Sequence, residues 1–153
     1  MGKLIYPEGS WVAIVTPFTE NNAIDLGVMH DLVDFHAANG TSTLLVLGST
    51  GEPTTLTIEE KKAVIKDMAR YCKGKIHAFF GVTHGDTEKT IELARYAQEQ
   101  DADAALDAGC HQGHGALAID LASRTLVRDR DNLHIASELA HGRREQTGGT
   151  HMQ

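Results

Sequence analysis

Apolar runs of strand length begin near residues 11, 43, 76 and 102, separated by stretches in which apolar positions recur at threes and fours. A repeat of roughly thirty residues is the size of one β/α unit. Alternation of strand and helix at that period calls for an α/β barrel or a doubly wound sheet. The run TLLVL at 43–47 has no polar alternation, the pattern of a parallel strand covered on both faces. The chain has 153 residues, whereas a complete eight-stranded α/β barrel takes about 250.

Local signals fix the elements of residues 1–106. The first strand, 11–15, should stop at Thr16 and Pro17, because proline cannot donate to a ladder. Asp25 is placed to cap a helix whose apolar face is Leu26, Met29, Leu32, Val33 and Phe35, with Gly40 as its left-handed stop. Thr57 and Glu60 have capping-box spacing and open a helix to about Cys72, with Gly74 beyond it. Residues 76–82 read as a third strand, 87–100 as a third helix and 102–106 as the start of a fourth strand.

The remaining residues are of a different kind. All seven lysines and all eight aromatic residues lie in 1–106, while the last 47 residues carry five arginines and five of the nine histidines. One account is an arginine-rich surface helix with a flexible end. The account favoured here is a change of reading frame near residue 106, by mutation, sequencing error or altered splicing, which sets a divergent segment, 107–153, against the β/α region of 1–106. Leu117, Leu121, Leu126 and Val127, then Leu133, Ile135 and Leu139, have spacing for one or two helices; with Gly109, Gly113 and Gly115 upstream, no strand is assigned.

Composition narrows the function classes. A formal charge of −7 and the lack of a basic stripe argue against nucleic acid and anionic membrane surfaces. Two cysteines, Cys72 and Cys110, cannot build a disulfide framework, and no C-x-x-C pair suggests zinc or thiol redox chemistry. The N-terminal MGKLIYPEGSWVAIV reads as neither a signal peptide nor a membrane span. A cytoplasmic protein is expected. Cys110, His111 and His114 form a C-H-x-x-H cluster in a glycine-rich stretch, which is not a preorganised metal site; neither metal nor cofactor is expected.

The stretch most suggestive of chemistry is GSTGE at 48–52, directly after the buried run. Ligands of parallel α/β folds bind at the carboxyl ends of strands, where loops and helix N-termini gather N–H donors. Gly48 and Gly51 allow close backbone approach, and the hydroxyls of Ser49 and Thr50 add donors, so the loop can cradle a carboxylate and relay a proton. An ordinary glycine-rich turn is the competing reading. The loop is neither a P-loop nor a dinucleotide fingerprint. At a second strand end, 81–87, Asp86 or Thr87 caps the next helix with His84 as a bystander, and Glu59 and Glu60 sit at a helix start, where the macrodipole favours them without any catalytic role.

Three stretches, GSWVAIVTPFT at 9–19, LVDFHAANGTSTLLVLGSTGEPTTLTIEEK at 32–61 and GVTHGDTEKTIELARYAQEQDADAAL at 81–106, resemble the dihydrodipicolinate synthase and N-acetylneuraminate lyase family of pyruvate-dependent Schiff-base aldolases. The resemblance covers about two thirds of the chain. The TLT-x-EE run leans toward the synthase branch, while serine at 49 is also familiar from the sialic acid lyase branch. The resemblance implies the first three to four units of a (β/α)8 barrel and a lyase that condenses pyruvate with an aldehyde through a lysine imine. It further implies pyruvate carboxylate binding by Ser49 and Thr50 in the Gly48–Gly51 loop, a relay from the hydroxyl at 49 to tyrosines, and a homotetramer.

Three departures stand against the match. Asp107, Ala108, Gly109, Cys110 and His111 occupy the place of the family's Pro-Tyr-Tyr segment, Asp101 that of a usual glycine, and no lysine or tyrosine follows residue 106. By position none of the seven lysines substitutes for the Schiff-base lysine, since Lys75 enters a strand and Lys61, Lys62, Lys66 and Lys89 lie on helices. The chain by itself is therefore expected to be inactive, as a truncated half-barrel.

Overall fold

A computed structural model describes residues 7–107 together with the backbone of 117–120 and 125–127. Four parallel strands, β1 (Ser10–Ala13), β2 (Thr41–Val46), β3 (His77–Gly81) and β4 (Ala104–Asp107), stand in sequence order. Helices α1 (Leu26–Ala38), α2 (Ile58–Cys72) and α3 (Thr87–Glu99) connect them. This is the amino-terminal part of a (β/α)8 barrel.

Each helix begins where its capping chemistry allows. Asp25 accepts from the Val28 N–H at 3.0 Å. The Thr57 hydroxyl accepts from the Glu60 N–H while the Glu60 carboxylate accepts from the Thr57 N–H. Asp86, rather than Thr87, caps α3 through the Glu88 N–H. Each helix is followed by one left-handed residue before the next strand: Gly40 (φ +79°), Gly74 (φ +78°) and Asp101 (φ +61°).

Ladder register divides the side chains into two layers. Val12, Leu44, Val46, Ala78, Phe80 and Ala105 face the helices and pack with Met29, Val33, Val64, Ile65, Met68, Leu93 and Ala97. Full burial of each large member contributes about 1.5–3 kcal/mol. Thr43, Leu45, Phe79, Ala104, Leu106, Trp11 and Ala13 alternate onto the opposite, inner layer. Phe35, expected on the buried face of α1, is instead exposed, and Met29 and Val33 carry the contact. An α1–α2 seam stacks His30 on Tyr71, joins His30 to Asp67, and draws both the Tyr71 hydroxyl and the Lys75 ammonium to Asp34.

The expectation of helix and no strand beyond residue 115 is corrected at two places. Leu117–Asp120 forms β5, antiparallel to β4, and Thr125–Val127 forms β6, antiparallel to β5. The open edge of β4 offers a row of backbone donors and acceptors, and pairing with it outweighs a helical spacing too short to nucleate. Leu121, Leu133, Ile135 and Leu139, with Cys110, His111 and His114, lie outside the described residues. Among the described residues no helix is long and apolar enough to cross a membrane.

Candidate functional site

The loop after β2 is built by close backbone approach. Leu47 (φ +58°) and Glu52 (φ +48°), both non-glycine residues in the left-handed region, bracket it. Between them Ser49–Gly51 forms one 3-10 turn, closed by the Gly51 N–H to the Gly48 carbonyl at 2.9 Å and the Glu52 N–H to the Ser49 carbonyl at 3.1 Å. Strain of this kind persists only where surrounding structure imposes it.

Neighbouring strands impose it here. From the segment that follows β1, the Thr16 hydroxyl donates to the Gly51 carbonyl at 2.9 Å. A Cβ on Gly51 would stand 3.1 Å from that hydroxyl, and one on Gly48 would stand 2.8 Å from a Leu45 methyl. From β3, Gly81 admits the Leu47 carbonyl so closely that a Cβ on Gly81 would lie 2.0 Å from its oxygen. Gly48 and Gly51 are buried, whereas Ser49 and Thr50 are exposed at the top of the loop. The Ser49 and Thr50 N–H groups precede the first bond of the turn, so neither has a partner within it. Two hydroxyls and two amides therefore stand together on a braced loop, a donor set suited to a carboxylate.

At the ends of β3 and β4, Thr83 donates to the buried Asp107 carboxylate at 2.9 Å. His84 accepts from the Asp86 N–H through Nδ1 at 3.0 Å, and its own backbone N–H donates to Thr90, so it shapes the start of α3. Glu60 is occupied by its cap, whose N–H and hydroxyl donors from Thr57 hold the carboxyl below the usual range.

Amine chemistry is limited among the described residues. Lys62 and Lys89 pair with Glu92, Lys73 with Asp101 and Lys75 with Asp34, and the hydrogen bond from each ammonium raises its pKa. Lys61 is different: it is buried on the core-facing stripe of α2, and desolvation lowers its pKa. Lysine in a TIEEK helix start reads as surface charge, so its burial had no sequence signal. The brace from Thr16, the clearance at Gly81 and the Thr83–Asp107 pair were also not read from the sequence. All three are long-range; a glycine at a strand's end is the only local hint of any of them. Among the described residues no group of three His, Cys, Asp or Glu side chains could hold a metal ion.

Parallel β/α units with a braced, hydroxyl-bearing loop at the carboxyl ends of their strands define a barrel-type α/β protein, a fold whose ligand-binding loops gather at that end. A profile of the dihydrodipicolinate synthetase family matches residues 6–108, and the chain belongs to that family. The 4-hydroxy-tetrahydrodipicolinate synthases of Coxiella burnetii and Aromatoleum aromaticum are 42% and 41% identical to it over 98 residues, 64% of this chain and 34% of theirs. Among solved structures, dihydrodipicolinate synthase from Aquifex aeolicus superposes with a TM-score of 0.63 at 38% identity, covering 67% of this chain and 34% of that one. The pyruvate complex of the Acinetobacter baumannii synthase gives 0.63 at 37% identity, covering 67% and 35%. Proteus mirabilis N-acetylneuraminate lyase gives 0.61 at 27%, covering 65% and 34%. The chain spans about a third of the length of the curated relatives it matches.

Proposed function

We propose that the Ser49–Gly51 turn is the carboxylate cradle of a synthase-type lyase that joins pyruvate to an aldehyde, with 4-hydroxy-tetrahydrodipicolinate synthase as the nearest activity. Support comes above all from one observation: Ser49 and Thr50 are exposed on a loop held in a strained shape from β1 and β3. A pre-shaped set of donors binds a 2-oxo acid carboxylate without reorganising. The hydroxyl at 49 is then placed to pass protons during carbinolamine and imine formation, steps that need both a held carboxylate and a proton shuttle. The pyruvate held by the Acinetobacter baumannii synthase supports the choice of acid. An N-acetylneuraminate or 2-keto-3-deoxy sugar acid lyase is the second reading, favoured by serine at position 49 and the lyase neighbour.

The proposal extends to the 153-residue polypeptide itself. Residues 1–106 act as the barrel-forming part, and 107–153 as a divergent segment set off by a frame change, so the polypeptide holds pyruvate weakly and does not turn over. The Schiff-base amine is not among residues 107–153, which contain no lysine, and a tetrameric enzyme belongs to the complete barrel. A reducing, cytoplasmic setting is part of the same reading.

Intact-mass measurement of the protein from its source, with and without pyruvate and borohydride, tests both statements. On a chain of 16.6 kDa no adduct is expected, whereas a chain of about twice that mass, as a complete barrel requires, with one adduct marks residues 107–153 as a frame artefact. A single adduct on the 16.6 kDa chain, mapped to Lys61 or any other lysine, overturns the claim of inactivity. In a complete barrel, Ser49→Ala and Thr50→Val should depress turnover and leave the fold intact; normal turnover in both removes the cradle.

A further inference from the structure

We propose that Lys61 is a modification site, an amine that takes up small neutral acyl electrophiles such as isocyanic acid without the help of an enzyme. Its surroundings set it apart from the other lysines. Lys62 and Lys89 share the Glu92 carboxylate, Lys73 pairs with Asp101 and Lys75 with Asp34. Lys61 is 3% exposed and forms no hydrogen bond or ion pair among the described residues. On a helix, side chains meet those three and four positions away. For Lys61 these are Thr57, Ile58, Val64 and Ile65, none of them a carboxylate. Glu60, next to it in the chain, is held by Thr57, and Glu59 is exposed.

Two features disfavour the ammonium form. The stem lies with Val64, Ile65 and Met68 on the buried stripe of α2, and burial of an unpaired cation costs more than burial of the neutral amine, which lowers the pKa. Lys61 also stands in the opening turn of α2, the end at which the helix dipole favours anions. The nitrogen itself is not sealed in. Thr43 Oγ1 is the only buried side-chain polar atom among the described residues that is both cut off from solvent and without a partner. The Lys61 nitrogen, equally without a partner, therefore touches water at the end of its buried stem. Such an opening admits a reagent of a few atoms and excludes the catalytic groups of a modifying enzyme.

The reaction needs only a neutral amine, and a desolvated lysine supplies one. The nitrogen lone pair adds to the carbon of isocyanic acid, an N–C bond forms as the C=N π bond opens, and a proton passes from the amine to the reagent's nitrogen. The product is a neutral urea, nothing leaves, and the cost of burying a cation is removed. The inference is independent of the carboxylate cradle: the addition requires neither a held carboxylate nor a proton shuttle, and it is read on a different residue from Ser49 and Thr50.

Brief treatment of the folded 153-residue chain with cyanate, the source of isocyanic acid, at mildly alkaline pH and then peptide mass mapping should find Lys61 carbamoylated ahead of Lys62, Lys73, Lys75 and Lys89. Each unit of pKa between two amines is worth about tenfold in neutral fraction. In urea the preference should disappear, because it belongs to the fold. Lys61→Met, which keeps an apolar stem without the charge, should raise the urea midpoint, and Lys61→Arg, which cannot shed its charge, should lower it. Earlier labelling of the paired lysines, labelling of Lys61 in urea alone, or a preference that persists in urea overturns the proposal. A lower midpoint for Lys61→Met also overturns it, and the labelling order in the parent chain decides the matter should that variant fail to fold.

Discussion

The two ends of the sheet use glycine and the left-handed backbone for opposite purposes. At the amino-terminal ends, Gly40 and Gly74 turn the chain from helix into strand with nothing within 4 Å of where a Cβ would stand, and only their positive φ matters. At the carboxyl-terminal ends, Gly48 and Gly81 have no positive φ, and what matters is the space a Cβ would take. There the left-handed conformation falls instead on Leu47 and Glu52, where it is costly. One end is built for easy reversal, the other for a shape held under strain, and that strain lies beside the exposed hydroxyls.

Substitutions can break this contrast. Gly81→Ala should have the largest effect, about 3–5 kcal/mol lost or no cooperative fold, since the added carbon meets backbone that cannot swing aside. Gly85→Ala, a neighbour with open space and no positive φ, should change stability by less than about 0.5 kcal/mol. Urea denaturation of both variants checks the pair, and equal losses would remove the spatial argument.

Gly40→Ala and Gly74→Ala should each cost about 1–2 kcal/mol, the penalty of the left-handed region for a residue with a Cβ. Asp101 sharpens the comparison. It occupies the same helix-to-strand position at φ +61° without being glycine, and its ion pair with Lys73 is largely exposed, worth little against backbone strain. Asp101→Gly should therefore raise the denaturation midpoint, opposite in sign to Gly74→Ala; a fall would mean that the Lys73 pair outweighs the strain.

The smallest effect concerns pH. The Glu60 carboxyl is lowered in the folded chain by its Thr57 donors, so its contribution is complete above the ordinary carboxylate range and is lost as pH falls through the lowered value. Glu60→Gln should make that acid limb shallower, while the lowered Asp34, Glu92 and Asp101 carboxyls keep the rest of it. An unchanged acid limb would exclude the cap as its source.

What was legible in the sequence follows the same division. Helix starts at Asp25, Thr57 and Asp86 could be read because each cap is satisfied within three residues, and Gly40 and Gly74 because a helix stop is equally local. The loop at 48–52 could be found, but not its shape, since that depends on contacts from Thr16 and Gly81. Phe35, expected on a buried face, is exposed, and Lys61 joins the buried stripe of its helix, because helical periodicity locates a stripe without fixing its margins. β5 escaped for a similar reason: its pairing is decided by the vacant edge of β4 and hardly at all by its own four residues.

The two struts on the loop also bear on how its shape is carried. Thr16 reaches it from before the first helix, and Gly81 makes room for it from beyond the second. The five residues GSTGE consequently do not encode their own conformation, and moving them alone into another scaffold would transfer the side chains without the geometry. The transferable unit runs from the first strand through the third, so recombination that preserves the motif while exchanging its flanking strands would keep the signature and lose the site.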